Sequence, residues 1–205
     1  GDAAIIVPWE QYMAYGDTAV LENNWPMMVR WIDFVRAAAE GSRHPDRVAR
    51  GFEPVPHERY LWDTGFHWGE WLEPMRAGES VDFPALLMAD KGDVATAFYR
   101  RSTELLARIA TALGKHAEAA EYIELSDHVR RAWQAEFVRP DATVFPNTQA
   151  TCVRALAFDL VDNRTAVADQ LVRHRFKQGI AGGVAVLVVD RLEAVEIEAE
   201  QREAV

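Results

Sequence analysis

Apolar positions recur at helical spacing from residue 3 to about residue 174, and no β-type alternation occurs before residue 180. Ala3 to Tyr15 is apolar nearly all round at its start (Ala3, Ala4, Ile5, Ile6, Val7, Trp9), and Gly16-Asp17 supplies a stop followed by a cap. Pro8 falls inside this stretch and predicts either a bend or a first helical turn there. Thr18 to Ala39 carries Leu21, Trp25, Met28, Trp31, Ile32 and Val35 on one face. Gly41 to about Asp90 has no such period and is rich in Pro, Gly and His, so it reads as one long connection. A connection of that length inside a compact domain is usually functional. The helical period resumes over Gly92 to Gly114 (Val94, Phe98, Leu105, Ile109, Ala112) and over Ala117 to Phe137 (Tyr122, Leu125, Val129, Trp133, Phe137). Pro140 and Pro146 bracket a turn, Thr148 to Leu160 forms a helix capped by Asn147 or Thr148, and Asn163 to His174 closes the series.

The order of these segments carries the fold. In each successive pair a more apolar helix precedes a more amphipathic one, and the short links make antiparallel hairpins. Apolar-inside, amphipathic-outside pairing suits an α/α toroid, with a solenoid of hairpins as the competing arrangement. No fixed-period sequence repeat is present, which favours the toroid. The expected fold is therefore all-α: part of a toroid, with three hairpins present. In a toroid the inner helices share one direction, so their N-terminal ends share one rim. Asp2, the Trp62–Pro74 segment and Asn147-Thr148-Gln149 would then meet there.

Composition narrows the function. A length of 205 residues fits one domain or a piece of one, and 49% hydrophobic with 26% charged residues marks a globular chain. The formal charge of −10 argues against nucleic acid or an anionic membrane as partner. The apolar runs are too short for a bilayer span. Gly1-Asp2-Ala3-Ala4 is not a signal peptide and reads as a cut inside a domain. The lone Cys152, in an apolar helical stretch, predicts a buried inert thiol and fits a reducing, cytoplasmic setting. No metal-ligand spacing occurs, and no cofactor is expected.

The candidate chemistry is concentrated in residues 60–74. Three of the seven tryptophans (Trp62, Trp68, Trp71) lie there among Asp63, His67, Glu70 and Glu73. Indole faces stack on apolar ring faces and carboxylates accept from ring hydroxyls, which suits a neutral sugar. The competing reading is a loop whose indoles plug a core and whose charges are solvated. His57 and Glu58 lie in the long connection and are expected to be solvated. Arg100-Arg101 and Arg130-Arg131 should each place at least one Arg on a wet face. Val184 to Val189 could pair as a strand.

Several strings resemble those of glycoside hydrolase family 78, the bacterial α-L-rhamnosidases. Gly1-Asp2-Ala3-Ala4-Ile5-Ile6-Val7-Pro8-Trp9 is similar to the family's Gly-Asp-Ala-Ala-Val-Ile-Val-Pro-Trp type of helix opening. Gly65-Phe66-His67-Trp68-Gly69-Glu70-Trp71-Leu72 is similar to its Gly-Phe-His-Phe/Trp-Gly-Asp-Trp-Leu. Thr96-Ala97-Phe98-Tyr99, Thr148-Gln149-Ala150 and Ala155-Leu156-Ala157-Phe158 follow in the family's order. The resemblance spans residues 1 to about 174, leaving 175–205 as an atypical tail that a truncated or frame-shifted reading would explain. It implies a toroid of six hairpins, of which about three are present, in an inverting enzyme that releases terminal α-L-rhamnose. It also implies two catalytic Glu residues, one upstream of Gly1 and one beyond the resemblance, so no catalytic residue is assigned here. For the sugar it implies Asp2 as a contact, although Asp2 serves equally as a helix N-cap. Trp68 and Trp71 are the stacking faces and Glu70 a hydroxyl acceptor in place of the family's usual Asp. Gln149 lies on the shared rim, and His67 is counted with these substrate-binding candidates, against the competing reading of a structural histidine. The expected partner is a rhamnose-containing glycoside. Half a toroid would also leave apolar faces at Ala3–Trp9 and Thr148–Leu160, open to self-association. Two alternatives remain: a non-catalytic helical-hairpin protein that binds partners on its concave side, and another toroid glycosidase or a lyase.

Overall fold

The computed structural model describes residues 1–65, 67 and 90–178, the last of these, 174–178, as backbone only. Trp68, Glu70, Trp71, Glu73 and the Val184–Val189 run lie outside the described residues. The described chain is all-α and divides into two compact units, Gly1–Val138 and Arg139–Val205.

The first unit holds two antiparallel hairpins. α1 (Ala3–Tyr15) is closed by Gly16, whose positive φ of 69° lets its N–H reach the Tyr12 carbonyl. α2 (Ala19–Gly41) starts where Asp17 Oδ1 accepts from the Ala19 N–H at 2.9 Å. Pro8 lies inside α1 beyond its first turn, and the helix runs through it. Between the hairpins the chain forms α3 (Pro45–Ala49) and a 3-10 turn at Pro56–Tyr60. The second hairpin is α4 (Gly92–Ala112) with α5 (His116–Phe137), joined through Gly114 in the left-handed region.

α4 is buried on nearly every side, as an inner helix must be, while α5 buries one stripe that includes Tyr122, Leu125 and Val129. Both join a core of Ile5, Leu21, Met28, Ile32, Leu105 and Ile109. Each such aliphatic side chain contributes roughly 1.5–3 kcal/mol on leaving water. Trp133 is fully enclosed, and its Nε1 donates to the Asp93 carbonyl at 2.9 Å, so its one polar atom is satisfied. α1 behaves differently. Only Ile5 and Pro8 are buried, but Ile6 and Trp9 pack partly against the core, so the apolar face expected open over Ala3–Trp9 is uncovered chiefly at Val7, which is 51% exposed.

The long connection is not a structureless loop. Pro45 begins α3 with its fixed φ, and His44 Nδ1 accepts from the Asp46 N–H. His57 and Glu58, expected to be solvated, are instead part of an ion cluster. Arg43 donates to Glu58 at 2.6 Å, Arg47 reaches Glu58, Asp63 and Glu136, and His57 lies 3.3 Å from Glu136. The cluster ties the connection to α5. Helical periodicity carries no trace of it because the partners are far apart in sequence and the elements span five residues each. Arg100 and Arg101 both bond Glu104, with Arg100 buried and Arg101 half-buried.

In the second unit α6 (Gln149–Ala157) pairs with α7 (Arg164–Gln178). Thr148 is the cap: its Oγ1 accepts from the Thr151 N–H at 3.1 Å. α6 ends before Leu160, because Asp159 adopts a positive φ of 49°. Gln170 of α7 clasps the preceding turn by accepting from the Val144 N–H at 2.8 Å and donating to the Val144 carbonyl and Asn147 Oδ1. Cys152 is buried, and burial pushes its thiol up to about 11, so it stays protonated and inert. The apolar face expected open over Thr148–Leu160 is mostly buried instead, with Cys152, Ala155, Leu156 and Leu160 all buried.

Candidate functional site

Antiparallel pairing brings the N-terminal end of α1 beside the C-terminal half of α2. A cavity of about 890 Å³ opens there, lined by Asp2, Trp31, Phe34, Trp62, His67 and Phe98 among others. Gly1 backs directly onto the Trp31 ring, where an added Cβ would meet the indole at 3.6 Å.

Asp2 is not the helix cap. Its backbone is already helical (φ −55°, ψ −26°), and its carboxylate makes no capping bond. The carboxylate turns instead toward His67 and α4: Oδ2 lies 3.4 Å from His67 Nε2, and Oδ1 accepts from Ser102 Oγ at 3.2 Å. Burial pushes the Asp2 carboxyl up. The bond and charge of His67, then the Asp2 backbone N–H and the Ser102 hydroxyl, outweigh that and hold it below the usual aspartate value. Asp2 is thus an ionised acceptor at neutral pH. A general acid in a glycosidase needs the opposite environment, one that keeps its proton. Burial pushes the Asp63 carboxyl up, against the nearby His44 and Arg47 charges. Asp63 sits with the ion cluster of the connection, however, and is not a cavity residue.

An aromatic column supports the acceptor. His67 packs edge-on against Trp62 (centroids 5.0 Å, 90°) and tilted on Phe98 at 5.9 Å. Trp62 is fixed by its backbone N–H on Thr96 Oγ1 at 3.0 Å and meets Trp31 edge-on at 5.8 Å. Trp31 in turn stacks on Phe34 at 5.5 Å, and Phe34 is 57% exposed. A fixed carboxylate at the edge of an aromatic-walled cavity is suited to a ring that carries hydroxyls on its rim and C–H groups on its face. Among the described residues no group of three His, Cys, Asp or Glu could hold a metal ion.

The structure therefore brings Asp2 and His67 together. Gln149 opens α6 in the second unit, where its Nε2 is buried without a hydrogen-bond partner. Trp68, Glu70 and Trp71 lie outside the described residues. Ser102 was not foreseen; its only trace in the sequence is a hydroxyl at a buried position of α4, a pattern common to many helices. Trp31 and Phe98 read as ordinary core-face positions, and only the hairpin geometry places them on the cavity.

Comparisons with known proteins converge on one family. The model of the bacterial alpha-L-rhamnosidase 6 hairpin glycosidase domain matches residues 1–186. The alpha-L-rhamnosidase of Streptomyces avermitilis is 34% identical over 174 residues, which are 84% of this chain and 14% of that protein. Among solved structures, that of the Streptomyces avermitilis enzyme with L-rhamnose aligns at a TM-score of 0.66 and 30% identity, covering 87% of this chain and 14% of that one. The native Aspergillus terreus α-L-rhamnosidase aligns at 0.69 and 27% identity, covering 89% of this chain and 19% of that one. The chain thus spans a small part of the length of the relatives it matches.

Proposed function

The chain belongs to the bacterial α-L-rhamnosidase six-hairpin glycosidase family, and from that premise we propose that it forms part of the sugar-binding wall of a hydrolase acting on terminal α-L-rhamnose. The observation that carries the proposal is Asp2. Its carboxylate is released from any capping role and held by two side chains at the edge of an aromatic-walled cavity. Asp2 accepts from sugar hydroxyls, and His67 keeps it ionised and oriented. Trp68 and Trp71 offer stacking faces, while Glu70 contacts a further hydroxyl. The inverting mechanism assigned to such an enzyme needs one protonated and one ionised carboxyl group, set apart to admit a water. We assign that pair to residues other than those of this chain, so the chain binds the sugar without cleaving it.

The test is an assay of the isolated chain on an aryl α-L-rhamnoside. Loss of a general acid alone costs about 10²–10⁴ in rate, and loss of both carboxyls leaves no turnover above background. Turnover near that of a full-length relative would place the catalytic pair within these residues and overturn the proposal.

A further inference from the structure

We infer that Ser102 is a positioning residue: its hydroxyl fixes the direction in which the Asp2 carboxylate presents its remaining acceptor capacity to a sugar hydroxyl. The inference rests on the reading of Asp2 as a sugar contact and adds the group that orients it.

A Ser or Thr in a helix interior ordinarily returns its hydroxyl to a carbonyl of the preceding turn. Two neighbours in α4 do so: Thr103 donates to the Tyr99 carbonyl at 2.8 Å and Thr111 to the Ala107 carbonyl at 3.1 Å. Ser102 does not. It is fully buried, and its Oγ leaves the helix to reach Asp2 Oδ1, one hundred positions away in sequence. Packing alone would be served by Ala, which fits the same space and favours the helix more. The hydroxyl has a partner only because Asp2 is there.

Asp2 needs this support. It precedes the first residue of α1, and its own helix start does not engage its carboxylate. His67 meets Oδ2 and Ser102 meets Oδ1, a side-chain partner for each oxygen, and the Asp2 backbone N–H adds a bond from within the residue. Rotation of the carboxylate about its final bond would strain both contacts, so together they set its plane. An ionised carboxylate offers about four acceptor positions. With His67, Ser102 and the Asp2 backbone N–H each taking one, acceptor capacity remains for a sugar hydroxyl. His67 alone would leave Oδ1 free to swing. Ser102 comes from a different hairpin, and it ties the start of α1 to the middle of α4.

The test uses the full chain with labelled aspartate. The Asp2 carboxyl carbon is followed by NMR through an acid titration, and L-rhamnose affinity is measured by titration of the sugar, in the unaltered chain and in Ser102→Ala. A hydrogen bond to the charged form lowers a carboxyl pKa, so its removal should move the Asp2 midpoint upward. The same change should weaken L-rhamnose binding about tenfold, the factor that one hydrogen bond to a charged group provides. A folded Ser102→Ala chain with an unmoved Asp2 midpoint overturns the inference, whether or not sugar binding changes. So does a moved midpoint with undiminished affinity. Asp2→Asn separates this from the reading beneath it: if Asp2→Asn binds L-rhamnose as tightly as the unaltered chain, the sugar assignment fails and the positioning role fails with it.

Discussion

At the scale of single residues, Asp2 shows how the environment decides between two roles that the sequence leaves equal. An Asp just before an apolar helix is a good cap, and the local string cannot say whether it caps. The distant partners Ser102 and His67 decide the matter, and neither is near it in sequence. Their effect has a measurable sign. The folded-state pKa of Asp2 lies below the usual value of 3.8. The ionised carboxylate therefore stabilises the fold above that value, and this contribution disappears as pH falls through the depressed folded value. Asp2→Asn should thus be less stable than the unaltered chain near neutral pH, with the gap closing under acid. Urea midpoints for the two chains at pH near 6 and near 3 would check this; a gap that stays constant between them would show that the Asp2 charge is not held by its partners. Glu104, also held below its usual value against burial by three arginines, falls away with acid in both chains and cancels in the comparison.

At the scale of elements, long periodic helices were legible and short irregular ones were not. α1, α2, α4 and α5 each present enough turns for an apolar stripe to stand out, and glycine at positive φ marks the ends at Gly16 and Gly114. α3 and the 3-10 turn are too short for any period, and ion pairs rather than a buried stripe hold them in place. α6 ends earlier than its apolar run suggests, because backbone geometry at Asp159 rather than hydrophobicity sets its end. The start of α4 carries a constraint of its own. A Cβ on Gly92 would lie 2.8 Å from Asp63 Cβ, close to the backbone and unable to swing aside. Overpacking of this kind costs about 1–3 kcal/mol, against a helix-propensity gain of at most about 1 kcal/mol. Gly92→Ala should therefore lower the thermal midpoint, as read by circular dichroism, and a raised midpoint would mean that Asp63 yields at little cost. The same contact explains why the connection returns so close to α4: the approach of Asp63 to Gly92 requires a residue without a side chain there.

At the scale of the whole molecule, the hairpin order was readable because inner and outer helices differ in how much of their circumference is apolar. α4 and α5 show that difference fully, and α1 shows its apolar surface uncovered at Val7, Met13 and Tyr15. The candidate site was legible in part. Sequence strings pointed to Asp2 and His67, and the structure joins them; the aromatic column behind them needed the antiparallel packing of α1 on α2 to become visible. The central claim is that this cavity edge receives a sugar. The most direct measurement is an NMR titration of the isotope-labelled chain with L-rhamnose, mapping which resonances move. The account predicts shifts centred on Asp2, His67, Ser102 and the Trp31 and Trp62 indoles, saturating with sugar concentration and absent with Asp2→Asn. Saturable shifts centred elsewhere, or an unperturbed Asp2–His67–Ser102 cluster at saturating sugar, would contradict it.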